Sequence, residues 1–381
     1  MKISLDKNLT FGRQPKPILG KDVPRLVKRR KAAKVLEPVA LEITRYVATD
    51  GSPSVEAALD SQNRPFLRIA NFRPGQHEFP PDVKIKEVKA LGVKSRSFSK
   101  ALVTEGFVPE HLALEPEPRP LPKKLRTPVF FRAVPDQTET KYGNQATTIS
   151  KYGNQATTIF PPDNRMIFAD TSYPWGACGR VDSPLGQGSG AMVGPRHLLT
   201  VSHVIQWNSN NTAGWVRFRP GYYAPSAPFG DSWAVRTYYK YKVVGPTVDW
   251  IEGMYDYVVC VLDRRIGDWT GWLGSKGYTD AWDGGAYWSH VGYPGDLTGG
   301  NRPTFQGSIP LDGVWWEPDS HEAISHRGDV WPGQSGGPFF GWWSGWPYTV
   351  GVQSSQNSSE NNASGGQDMV DLVIKARNDY P

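Results

Sequence analysis

Several things are scarce in this chain of 381 residues, and each scarcity removes a class of answer. Two cysteines, Cys178 and Cys260, are too few for a disulfide-built scaffold. They either form one bridge or stay as two separate buried thiols. No stretch approaches the eighteen or more apolar residues of a membrane span, so no span is expected. The first ten residues, Met1 to Thr10, contain Lys2 but no apolar h-region, and no secretory signal peptide is visible. No Cys/His cluster has ligand spacing, so neither a metal nor an organic cofactor is expected. Tryptophan is absent from the first 160 residues; all 15 lie at or beyond Trp175.

The net charge of +6 divides unevenly. Residues 1–160 carry 28 Lys and Arg against 16 Asp and Glu, whereas residues 161–381 carry 15 against 21. The basic character therefore belongs to an N-terminal extension. Its aromatics do not interleave with its basic residues, and it shows no zinc or helix-turn-helix pattern. No nucleic-acid partner is expected. Length and texture together suggest two units, 1–160 and 161–381.

Within the extension, a basic run Lys28-Arg29-Arg30-Lys31 comes early. Residues 83–112 have weak mixed periodicity, and a short helix with a Pro interruption is expected over Val103 to Leu114, then an extended Pro-rich linker from Glu115 to Pro128. Residues 141–150 and 151–160 are a tandem decapeptide repeat, too short and polar for a solenoid and read as a connector. From residue 165 the chain changes to short apolar runs separated by Gly, Pro, Asn and Asp. These include Ala191–Val193, His197–Val201, Trp215–Arg219, Trp233–Tyr241, Tyr257–Leu262, Ala286–Gly292 and Tyr348–Val352. That spacing predicts an all-β sandwich or barrel. Met369, Leu372, Val373 and Ala376 fall at i, i+3, i+4 and i+7, predicting one amphipathic helix at the end.

The chemistry begins at Gly333-Gln334-Ser335-Gly336-Gly337-Pro338. Glycines flanking a serine permit a tight backbone path that exposes its hydroxyl. The same path turns the N–H groups of Gly333 and Ser335 toward one point, where they can stabilise an oxyanion. A serine nucleophile needs a base. His203 is the candidate, at the end of the apolar run Leu198-Leu199-Thr200-Val201-Ser202; His197, His290, His321 and His326 read as surface or structural histidines. The base in turn needs a buried carboxylate to fix its tautomer. Asp256, opening the run Tyr-Val-Val-Cys-Val-Leu, fits better than Asp249, which lies in a less apolar setting.

His203, Asp256 and Ser335 follow one another at intervals of 53 and 79 residues, in the order of chymotrypsin rather than of subtilisin or the α/β-hydrolases. Thr200-Val-Ser-His203, Asp256-Tyr-Val-Val and Gly333-Gln-Ser-Gly-Gly-Pro338 resemble the three signature blocks of trypsin-like serine peptidases. Asp163-Asn-Arg165, Asp170-Thr-Ser-Tyr-Pro174, Gly188-Ser-Gly-Ala-Met-Val-Gly-Pro195 and His290-Val-Gly-Tyr-Pro-Gly295 are similar to the glutamyl-endopeptidase branch. The resemblance covers about residues 161–381. It implies two six-stranded antiparallel β-barrels with the active site between them. The first would supply His203 and Asp256 and the second Ser335, with the C-terminal helix behind and a poorly structured extension in front. It also implies a serine endopeptidase acting on polypeptide substrates. The rivals are a catalytically silent binding module and an esterase with the same triad.

Three departures qualify the resemblance. Gln334 stands where pancreatic-type enzymes hold the aspartate that pairs with a freed N-terminus, so that switch should be absent. Val204 replaces the cysteine that follows their histidine. Gln353 stands where glutamyl endopeptidases line the specificity pocket with a histidine, which puts a preference for glutamate in doubt. Asp329 occupies the trypsin specificity position, in a loop whose family relatives carry an Asp there without basic specificity. Ser354 and Ser355 continue the substrate-binding edge. The resemblance implies a secreted enzyme, although no leader is visible. The opposite charges of the two parts favour docking one on the other, and residues 1–160 are read as an intramolecular pro-segment, cut between 128 and 165, or a targeting extension. Glycosylation-type sequons occur at Asn8, Asn210, Asn357 and Asn362.

Overall fold

The structure, a computed structural model, describes residues 16–23, 103–121 and 159–381 apart from 210, 246, 314–319 and 357–358. It also gives the backbone of five short strands in the N-terminal part. The basic run at 28–31, the repeat up to residue 158 and the linker beyond Leu121 lie outside the described residues, as do Asn8, Asn210 and Asn357.

Six antiparallel strands close the first barrel: β1 (Cys178–Ser183), β2 (Gly186–Gly194), β3 (His197–Thr200), β4 (Arg217–Pro220), β5 (Ser232–Tyr239) and β6 (Val258–Leu262). Their order is β5-β4-β1-β2-β3-β6, and β6 pairs back onto β5. β6 is apolar at every position and buried along its whole length. Its inner face meets the barrel core, and its outer face is covered by the C-terminal helix Gln367–Asp379. A strand buried on both faces needs no polar alternation. The helix turns Met369, Leu372, Val373 and Ala376 into that core, as the sequence period predicts.

The second sheet comprises β7 (Trp288–Gly292), β8 (Thr304–Ile309), β9 (Leu311–Asp312), β10 (Glu322–His326), β11 (Pro338–Trp343), β12 (Trp346–Gln356) and β13 (Asn361–Gly365). Pro310, which cannot donate to a ladder, separates β8 from β9. Before it the chain pairs with β7, and after it with β10. One interrupted strand thus serves two neighbours and curls the sheet into a second barrel, ordered β7-β8/β9-β10-β13-β12-β11. Trp282, Trp288 and Trp343 fill it, with ring centroids 5.2 to 5.8 Å apart.

The segment 103–121 is not helical. Val103–Thr104 pairs with Gly274–Lys276 at the edge of the second sheet. Phe107 exchanges two backbone hydrogen bonds with Trp272 and stacks on its ring at 4.5 Å. Leu114 and Pro120 bridge to Tyr173 and Phe168. The expected helix loses because Pro109 interrupts it and because the segment finds backbone partners instead at Gly274–Lys276, Trp272 and Tyr173. Ile18 likewise pairs with Trp342, and Val23 joins a buried cluster with Phe168, Trp175, Phe340 and Trp342. Further up the extension, Arg45–Tyr46, Pro65–Ala70, Ser54–Leu59 and Lys84–Ile85 form a small sheet, and Val88–Gly92 runs parallel to β5. Cys178 and Cys260 are separate, buried free thiols. Asn362 is buried in β13, where a glycan has no room.

Candidate active site

The site lies between the barrels because each element that enters it ends there. β3 stops at Thr200, and His203 sits in the single 3-10 turn Ser202–Val204 that follows. Asp256 lies just before β6, and Ser335 in the loop before β11. Asp256 is fully buried and accepts three hydrogen bonds. His203 N–H donates to Oδ1 at 2.9 Å, His203 Nδ1 lies 2.6 Å from Oδ2, and the Ser354 hydroxyl donates to Oδ2 at 2.7 Å. A buried carboxylate without partners would be costly; here the donors place the Nδ1 proton toward the acid and leave Nε2 as the basic nitrogen. Burial alone would push the imidazole down, but the charge and hydrogen bond of Asp256 outweigh it and hold His203 above its ordinary value. Asp249, the rival carboxylate, caps the helix Trp250–Met254 in a capping box with Glu252.

Ser335 reaches this pair through the backbone. Gly336 N–H donates to Gln353 O and Gln353 N–H to Gly337 O, and the next residue, Ser354, holds Asp256. A methyl group on Gly188 would lie 3.0 Å from Ser335 O and 3.1 Å from Val204 Cγ1, so the serine and the residue after His203 flank one point. Ser335 is half-buried, and among the described residues its hydroxyl has no hydrogen-bond partner.

The loop around the serine is fixed peptide by peptide. Pro332 O accepts from Gly295 N–H and Gln334 O from Gly337 N–H, at 2.9 Å each. In a trans peptide the N–H points away from the carbonyl, so the N–H groups of Gly333 and Ser335 are turned to the opposite side. Neither has a partner among the described residues, whereas those of Gln334, Gly336 and Gly337 donate to Trp331 O, Gln353 O and Gln334 O. Ser189 braces the remaining carbonyls: its hydroxyl donates to Gly333 O and its N–H to Ser335 O, both at 2.7 Å. Gly333 and Gly336 have φ of +100° and +83°, the region that glycine enters without strain. Two free donors beside a serine can receive an anionic oxygen.

The expected substrate-facing residues divide. Both Asp329 oxygens already accept backbone N–H groups, from Phe160 at 2.7 Å and Asn164 at 2.9 Å. Gln353 is buried; its Oε1 lies 2.9 Å from His326 Nε2, and its amide donates to Ser355 O at 3.0 Å. Gly328 N–H donates to His326 Nδ1, which fixes the His326 tautomer with its proton facing Gln353. Burial keeps His326 neutral, with its pKa pushed down to about 3. Ser354 serves Asp256. Ser355 is half-buried, and the pairing of β12 with β11 ends at Val352. One edge of the 354–356 stretch therefore has no strand partner among the described residues. Sequence reasoning missed Ser189 and the engagement of Arg165 with Gln334 described below; only their contacts reveal them.

No family model matches the chain. The glutamyl endopeptidase of Bacillus licheniformis is 28% identical to it over 206 residues, 53% of this chain and 56% of that enzyme. The chain thus spans little more than half the length of that relative. Among solved structures, a Glu endopeptidase in complex with MPD has 19% identity and a TM-score of 0.47, covering 58% of this chain and all of the other. The protease Anisep from Arthrobacter nicotinovorans has 19% identity and a TM-score of 0.40, covering 55% and 95%. Human heparin binding protein has 14% identity and a TM-score of 0.40, covering 55% and 93%. The resemblance to trypsin-like serine peptidases of the glutamyl-endopeptidase branch, read first from the sequence blocks, holds in the alignment.

Proposed function

We propose that this chain is a serine endopeptidase that hydrolyses peptide bonds through an acyl-enzyme. Ser335 Oγ attacks the scissile carbonyl while His203 Nε2 takes its proton, and Asp256 holds the imidazole in the tautomer that can accept it. The carbonyl oxygen becomes anionic and receives the N–H groups of Gly333 and Ser335. His203 then protonates the leaving amine, and water resolves the ester by the same route. The free edge at Ser354–Gln356 takes the substrate as an added strand. The observation that carries this reading is the pair of backbone donors left without partners beside the serine, where those of Trp331, Gln334, Gly336 and Gly337 are satisfied. An unpartnered N–H pair is costly unless a ligand completes it.

The relative is a glutamyl endopeptidase by name. In this chain Gln353 stands where the family resemblance places a pocket histidine; it is neutral and held on both sides, while Asp329 is occupied by backbone donors. We therefore propose a preference for uncharged residues at the cleaved bond. The test is a fluorophosphonate probe on the full chain, with the label located by peptide mass spectrometry. Label on Ser335, lost in Ser335→Ala, together with cleavage of a peptide library, supports the proposal. Label with hydrolysis of simple esters but of no peptide supports an esterase. Label that appears only after cleavage between 128 and 165 supports a latent precursor of the same peptidase, and a chain that takes no label in either form and cleaves nothing overturns the reading in favour of a binding module.

A further inference from the structure

Residues 160–165, which lead the chain into the first barrel, touch the nucleophile loop at both of its ends. Phe160 and Asn164 hold Asp329, six residues before Ser335. Arg165 reaches the other end. Its side chain is 1% exposed, and Nη1 donates to Gln334 Oε1 at 2.9 Å. The rest of the guanidinium is held by two carboxylates. Nε and Nη2 donate to Asp163 at 3.0 and 2.7 Å, and Nη1 and Nη2 to Asp296 at 3.1 and 2.6 Å. Gln334 Oε1 also accepts the N–H of Trp331 at 2.9 Å.

This cluster is expensive for what it does locally. A guanidinium taken out of water with two carboxylates regains its desolvation cost only with near-complete hydrogen bonding, and apolar packing would serve stability as well. Among the described residues, its one hydrogen bond to the loop falls on Gln334. That residue stands between Gly333 and Ser335 and belongs to both neighbouring peptide planes. The second of those planes carries the Ser335 N–H, and the Gly333 N–H lies in the plane just before the first; a Gln334 side chain tied to Arg165 and to the Trp331 N–H restrains the turn that sets both. Preorganised donors are worth most when they need no rearrangement during the reaction.

We propose that Arg165 is a positioning residue for the oxyanion site. It clamps Gln334 so that the N–H groups of Gly333 and Ser335 face the cleft together, and it does so in the uncut chain. This inference rests on the peptidase reading above. It concerns a residue that touches no substrate, so its signature is a loss of turnover without a matching loss of binding.

The experiment compares the full-length chain with Arg165→Met, Arg165→Lys and Gln334→Met. Turnover is measured on a peptide anilide that the wild-type chain cleaves, alongside the rate of fluorophosphonate labelling and near-UV circular dichroism. Arg165→Met is expected to lower kcat by about 10²–10³-fold, the value of one oxyanion donor, with KM changed by less than about threefold. Labelling of Ser335 slows in parallel. Lysine, which keeps the charge but reaches one partner where arginine reaches three, recovers part of the loss. Gln334→Met removes the acceptor from the loop side and produces the same kcat loss, which keeps the proposal open to refutation should Arg165→Met not fold. A folded Arg165→Met or Gln334→Met chain with kcat within about twofold of wild type overturns the proposal. So does a loss that only tracks the folded fraction. A wild-type chain inert both intact and after cleavage between 128 and 165 overturns the peptidase reading instead, and this one with it.

Discussion

An Asp256→Asn substitution changes one heavy atom and reverses two hydrogen bonds. Oδ1 can still accept the N–H of His203. At Oδ2, however, two donors converge, His203 Nδ1 and the Ser354 hydroxyl, at 2.6 and 2.7 Å. An amide nitrogen there must donate, so His203 Nδ1 has to become the acceptor and the ring proton moves to Nε2. Nε2, the nitrogen assigned as the base, then carries a proton and cannot take that of Ser335. Loss of the correct tautomer in such a triad costs roughly 10⁴ in kcat, or about 5.4 kcal/mol at 1.36 kcal/mol per decade. The assay is kcat/KM as a function of pH on a peptide anilide, with the tautomer read by nitrogen NMR of the imidazole. In the wild type, Asp256 holds His203 above its ordinary value despite burial, so activity rises with pH through a midpoint above about 6.5. In the variant that support is gone, and the midpoint moves down while the plateau falls. Stability follows the same linkage. A raised His203 pKa stabilises the folded state fully below the unfolded value, and the contribution is lost as pH rises through the folded one. The Tm gap between wild type and Asp256→Asn is therefore wider at about pH 5.5 than at about pH 9. A variant within tenfold of wild type near pH 7, with Nδ1 still protonated, would refute the reasoning.

Three further outcomes follow from the fold. Asp182 is buried and pairs with Arg180, Arg217 and Arg219 at 2.7, 3.1 and 2.8 Å. Burial would raise its carboxyl, but the three guanidiniums hold it below the ordinary value. Asp182→Asn is therefore expected to cost about 3–5 kcal/mol in urea unfolding. The wild-type contribution is present above about pH 3.9 and lost as pH falls through the depressed folded value. Phe107→Ala removes a half-buried ring from Trp272 and should cost about 2 kcal/mol; an unchanged denaturant midpoint would mean that segment 103–121 is not part of the cooperative unit. Burial raises both thiols, Cys260 to about 12, so a thiol reagent at about pH 8 should label neither in the native chain and both after unfolding.

Where the sequence could be read, its signals were local. Leu198 to His203 announces a strand with a base at its end. The run from Asp256 to Leu262 announces a carboxylate at the mouth of a core strand. The C-terminal apolar period of 3.6 announces a helix, and Gly333 to Pro338 announces a serine on a tight turn. Boundaries slipped by a residue or two, as at His203, which sits in a turn after the strand rather than in it. The segment Val103 to Leu114 misled because its weak periodicity says nothing about the sheet edge at Gly274–Lys276. That edge lies some 170 residues away, and its backbone groups decided the conformation.

The same distinction separates the proposed catalytic residues from those that hold them. By itself the sequence determined the residue types, their order and their local settings: His203, Asp256, Ser335, the glycines and the strand texture. It did so because strand ends, turns and apolar periods are encoded by near neighbours. Only the tertiary structure decided that Ser189 braces Gly333 across 144 residues, that Arg165 reaches Gln334 across 169, and that Asp329 spends its oxygens on Phe160 and Asn164. Those contacts depend on how two barrels close against each other. A hydrogen bond between distant residues leaves no period in the chain; it exists once packing has brought donor and acceptor within 3 Å and removed the water that would otherwise satisfy them.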